Sequence, residues 1–104
     1  MSVEETVVLY DCYFRNEGKL PVSEELNLLN AVYVKRAKIL GIEFDEIFRN
    51  KAGLSMQLAC VKGVVTNGEE GLSSAAKVLI DTYNLYNNCR NIFDTILKEF
   101  YEKY

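Results

Sequence analysis

Arg49, Lys51 and Lys62 stand in a stretch, residues 47–68, that holds no aspartate or glutamate over twenty-two positions, in a chain of formal net charge -3. Cationic side chains cleared of neighbouring carboxylates suit one kind of chemistry above others, which is to hold phosphate oxygens and displace their counterions. Asn50, Ser55 and Gln57 lie among them with short polar side chains that can donate and accept. Charge counts by region sharpen the pattern. Residues 1–25 carry two bases and six acids, residues 26–68 six and three, and residues 69–104 four and six, so a middle of +3 lies between ends of -4 and -2. Binding nucleic acid takes a local basic surface rather than a basic protein, and acidic flanks make such binding weak and steeply salt-dependent.

Other chemistries find less support. The chain has no histidine, which excludes histidine-based acid/base or nucleophilic catalysis, and its six glycines form neither a P-loop nor a dinucleotide fingerprint. Glu43, Asp45 and Glu46 lack the ligand spacing of a calcium loop and read as a charged, solvated link. Cys12, Cys60 and Cys89 are widely spaced, without a Cys-x-x-Cys pair or a histidine to complete a zinc site. They read as three thiols, with Cys12 and Cys60 acting as small buried hydrophobes. No catalytic residue, metal or cofactor is expected. Seven tyrosines and five phenylalanines are more rings than short helices must bury. Tyr101 and Tyr104, set among charges in "KEFYEKY", offer a second, protein-facing surface suited to a docking partner or a homodimer. The competing account has the rings closing the core with their hydroxyls reaching water.

Positioning these residues falls to a run of helices. A chain of 104 residues that is 49% hydrophobic and 26% charged, with one proline, reads as a single globular domain spanning residues 1–104. Its longest apolar runs are four to six residues, and Met1 to Thr6 lacks the basic start and apolar run of a signal peptide, so a cytoplasmic protein without a membrane span is expected. Ser2 followed by Glu5 is a capping-box pattern opening a helix over 2–17, with Val3, Val7, Tyr10 and Phe14 at helical spacing and Gly18 ending it. Ser23 is the expected N-cap of a second helix, carried by Leu26, Leu29, Val32, Tyr33, Arg36, Ala37 and Leu40 to Gly41. Phe44, Ile47 and Phe48 should anchor the link that follows. Asn50 can cap a third helix to about Val65, with Leu54, Leu58, Val61 and Val65 inward. "TNGEEG", 66–71, is turn chemistry, although "KGVVTNG" also suits a strand entering a hairpin. A fourth helix from Ser73 to about Tyr86 on Ala76, Leu79, Tyr83 and Tyr86, and a fifth on Ile92, Phe93, Ile96, Leu97 and Phe100, complete an all-α bundle of about five short helices.

Around the third helix, those inward positions leave Ser55, Ala59 and Lys62 on an outer strip with Gln57 on its flank, and Arg49 and Lys51 at the N-terminus. That is the layout of a recognition helix, and it makes Ser23 to Val65 helix-turn-helix-like. "FRNKAGLSMQLACVKGVV" followed by "GLSSAAKVLIDTYNLY" resembles the N-terminal helical domain of bacterial HNH-type endonucleases related to modification-dependent restriction enzymes. In that family a stretch like F-R-N-P-N-G-V-x-M-K-L-x-N-F precedes G-L-S-x-x-S-K. Phe48, Arg49, Asn50, Gly53, Met56 and Leu58 match the first part, and Gly71, Leu72, Ser73 and Lys77 the second. Tyr83 and Tyr86 fall where the family has tryptophan and phenylalanine. Lys51 replaces the family's proline, Gln57 its lysine and Cys60 its asparagine, so two polar groups of the reading helix differ. No HNH nuclease motif accompanies the match. The resemblance, over Phe48 to Tyr86, implies a non-catalytic DNA-recognition module of a restriction or anti-restriction (antiviral defence) system. Its partner would be double-stranded DNA, plain or modified, with Arg49, Asn50 and Lys51 at the phosphates, Ser55, Gln57 and Lys62 near the groove, and Lys77 beside them. A protein-binding adaptor, or a phage-encoded inhibitor of a defence nuclease acting through Tyr101 and Tyr104, is the alternative.

Overall fold

Ser2 and Glu5 do form a capping box. Ser2 Oγ accepts from the Glu5 N–H at 3.2 Å, the Glu5 carboxylate accepts from the Ser2 N–H at 3.3 Å, and α1 runs Val3–Arg15. The computed structural model describes residues 1–45, 48–72 and 75–104 and, among them, five α-helices and no strand. After α1 come α2 (Ser23–Leu40), α3 (Lys51–Val65), α4 (Lys77–Asn88) and α5 (Arg90–Lys103). The radius of gyration, 13.2 Å, is near the ~13 Å of a compact domain of this length.

α1 is the hub and packs against α3, α4 and α5. Thr6, Val7, Val8, Leu9 and Tyr10 are all fully enclosed, so the middle of this helix is buried on every face rather than along one stripe. Two tyrosines close the core with hydroxyls that donate to backbone carbonyls instead of reaching water: Tyr10 Oη to Leu79 O at 2.8 Å, and Tyr33 Oη to Glu5 O at 2.6 Å. Tyr10 stacks on Tyr83 and Phe14 on Tyr86, with Phe93 edge-on to Tyr86, which ties α1, α4 and α5 together through one aromatic row. Most of the surplus rings are thereby accounted for.

Several expected details differ. Ser23 is the first residue of α2 rather than its cap; the N-cap is Val22, which makes no side-chain cap bond. Ile92 and Leu40 are about half exposed rather than inward, as is Val3 at the start of α1. In the link, Phe48 packs on the core while Phe44 is exposed and rests on the Phe48 ring, 5.4 Å away. The third expected anchor, Ile47, and Glu46 of the acidic link lie outside the described residues. α3 continues to Val65 where a strand was an option. The turn after it uses positive φ at Asn67 (55°) and Gly68 (84°), the conformation those residues tolerate. α4 begins at Lys77, with Ala76 extended at its N-cap; Ser73, its expected start, is outside the described residues.

α2 and α3 pack together, but residues 41–50 lie between them, against the three- or four-residue turn of a helix-turn-helix. No helix among the described residues is long and apolar enough to cross a membrane.

Candidate recognition surface

The Phe48-Arg49-Asn50 stretch, which opens the family-like segment, is occupied in building the fold. Arg49 has a left-handed backbone (φ 50°) that turns its side chain back onto α1. There its Nε donates to Glu5 Oε2 at 2.9 Å and its Nη2 to Glu5 Oε1 at 3.4 Å. Arg36 approaches the same carboxylate at 3.5 Å and reaches Glu4 at 3.3 Å. Glu5 is buried. Burial alone pushes its carboxyl up, but the Arg49 hydrogen bond and charge, the Ser2 N–H and the Arg36 charge together hold it below the ordinary glutamate range. Asn30 Nδ2 donates to the Phe48 and Arg49 carbonyls at 2.9 and 2.8 Å and so fixes the turn from α2. Asn50 Oδ1 accepts from the Gly53 N–H at 2.8 Å and caps α3 as expected. Of the three residues expected at phosphates, Arg49 is held by Glu5, Asn50 is a cap, and Lys51 is exposed with no ion pair among the described residues.

The outer strip of α3 is walled rather than open. Ser55, Ala59 and Lys62 are half-buried because the turn after α1 lies alongside them. Buried Tyr13 and Leu58, with Gly18, Lys19 and Leu20 of that turn, complete a cleft of about 250 Å³ with Ser55, Ala59 and Lys62. A second crossing lies along the same helix. The Leu72 N–H donates to Ala59 O at 3.1 Å, and Gly63 is buried where a Cβ would run into the Leu72 carbonyl. Gln57 is half-buried and Met56 60% exposed. Lys77, on α4, is exposed and paired with Asp81 at 2.9 Å. The structure therefore brings Ser55 and Lys62 together with Lys19 and Leu20, and leaves Lys51 and Lys77 apart from them.

Lys19 and Leu20 were missed by sequence reasoning. Nothing in their spacing places a turn residue beside a helix thirty-five positions onward. The sequence pattern marks Glu5 only as a capping residue, because between Glu4 and Thr6 it has the neighbours of an ordinary solvated first turn.

At the far end Tyr101 is 48% exposed, while Tyr104 is half-buried with its ring 5.0 Å from Phe100. Lys35 Nζ donates to the Tyr104 carbonyl at 3.0 Å. A cleft of about 290 Å³ is lined by Tyr101 with Leu28, Leu29 and Val32 of α2. Cys12 and the Arg15–Glu25 pair, at 3.2 Å, complete it. Burial, and then the Glu25 charge, push the Cys12 thiol up to about 11. A larger recess, about 640 Å³, lies between α3 and α4 beside Val65, Asn67, Ile80 and Tyr83.

No family model, curated protein or solved structure matches the chain.

Proposed function

We propose that this chain is a non-catalytic protein-recognition module, an adaptor or an inhibitor directed at a defence nuclease, and that the walled face of α3 is its contact surface. The observation that carries this reading is the cleft between the turn after α1 and α3. Its lining is largely apolar, and Leu20 stands 64% exposed on it. Such a cleft suits an inserted side chain, whereas a DNA duplex offers phosphates and flat base edges to an open helix face. The engagement of Arg49 with Glu5 also subtracts the strongest phosphate donor from the expected DNA surface. The defence setting rests on the resemblance alone.

DNA contact is the second reading. It is favoured by Lys19, Lys51 and Lys62, none of which forms an ion pair among the described residues. Two measurements made side by side separate the readings. Fluorescence anisotropy with a short labelled duplex, plain and cytosine-methylated, at two salt concentrations is expected to show no saturable binding. Pull-downs against purified HNH-type restriction endonucleases are expected to recover a complex that Leu20→Asp abolishes. Salt-sensitive duplex binding lost in the Lys51→Ala, Lys62→Ala double variant would replace protein recognition with DNA recognition.

A further inference from the structure

Lys19 and Lys62 flank a cleft whose lining residues include no carboxylate. Neither ammonium has an ion pair among the described residues, whereas the arginines of α1 and α2 are paired: Arg15 with Asp11 and Glu25, Arg36 with Glu4 and Glu5. Glu17 precedes Gly18 in the turn, and the Glu70 charge is felt at the Tyr13 hydroxyl. Neither comes within ion-pairing distance of the two lysines. The same lining holds the apolar Leu20, Leu58 and Ala59, together with Ser55. A volume of about 250 Å³ holds one large apolar side chain, and two cations beside it complement anions immediately next to that side chain.

We infer that this cleft takes an acidic segment of a partner protein, in which one large apolar residue enters between Leu20 and Leu58 and flanking carboxylates meet Lys19 and Lys62. The inference rests on the protein-recognition reading and specifies its partner. Apolar contact supplies the burial, and the two lysines set the orientation and reject basic or neutral segments. Lys19 and Leu20 are exposed and Lys62 is half-buried, so substituting Lys19 or Leu20 leaves the core intact.

The test is a two-dimensional ¹H–¹⁵N NMR titration of the full chain with the peptide Glu-Asp-Leu-Asp-Glu. One control peptide has serine in place of leucine, and another has every acid replaced by its amide. The expected result is saturable shifts centred on the amides of Lys19, Leu20, Ser55, Ala59 and Lys62 with the parent peptide, much reduced with both controls. Lys62→Met should weaken binding up to about fivefold, the size of one surface ion pair. Equal shifts from the amide control, or shifts centred elsewhere, for example on Leu28 and Tyr101, would overturn the assignment. So would an absence of shifts. Protein recognition itself would stand or fall separately, on whether Leu20→Asp abolishes capture of the nuclease.

Discussion

Arg49→Ala would leave Glu5, whose side chain is 6% exposed, with Arg36 as its remaining cation at 3.5 Å. Stripping one partner from a buried pair is strongly destabilising, and with Arg36 still present a loss of about 2–3 kcal/mol is expected in urea unfolding. A pure phosphate contact would predict no loss of stability. The pH dependence follows from the depressed Glu5 pKa. The stabilisation is fully present above the ordinary value of 4.5 and is lost as pH falls through the folded value below it. The stability gap between the wild-type chain and Arg49→Ala should therefore narrow on acidification. Thiol chemistry offers a second check at this scale. Cys12 is buried and its thiol pushed up to about 11, Cys60 is also buried, and Cys89 is exposed. Iodoacetamide at neutral pH is expected to label Cys89 first, with Cys12 reacting only on unfolding; rapid labelling of Cys12 in the native protein would contradict this burial.

Among the elements, α3 has the most to lose from small changes. By helix propensity alone Gly63→Ala should stabilise by up to ~1 kcal/mol. Because the added methyl group would meet the Leu72 carbonyl where the chain crosses α3, a loss of more than about 2 kcal/mol is expected instead, read from thermal or urea unfolding. Asn50→Ala removes the cap on the Gly53 N–H and should cost about 1 kcal/mol. The bounds of α3 were legible beforehand because its signals are local: an asparagine cap, an inward stripe at 54, 58, 61 and 65, and an Asn-Gly turn. Its exposure was not. Helical projection assigns Ser55, Ala59 and Lys62 to the side opposite the core, but whether another segment covers that side depends on the path of residues 16–20 and 71–72, which no periodicity encodes.

For the molecule as a whole, the acid-free stretch divides into residues with unlike fates: Arg49 turned inward, Lys62 beside Lys19 at a cleft, and Lys51 exposed by itself. The distribution makes a testable contrast. Lys51→Ala should leave both stability and peptide binding unchanged, whereas Lys19→Met should leave stability unchanged and weaken peptide binding up to about fivefold. Loss of duplex binding in Lys51→Ala would instead return that residue to a nucleic-acid surface. The sequence by itself determined the all-α class, the five helices and most of their inward faces, because caps, turn residues and apolar spacing act over a few positions and need no distant partner. Only the tertiary structure decided what the charged and aromatic residues do. Whether Arg49 meets a phosphate or Glu5, and whether a tyrosine hydroxyl meets water or the Leu79 carbonyl, depends on which segments pack side by side. Ion pairs and buried hydrogen bonds across forty or more residues are fixed by packing that local pattern does not specify.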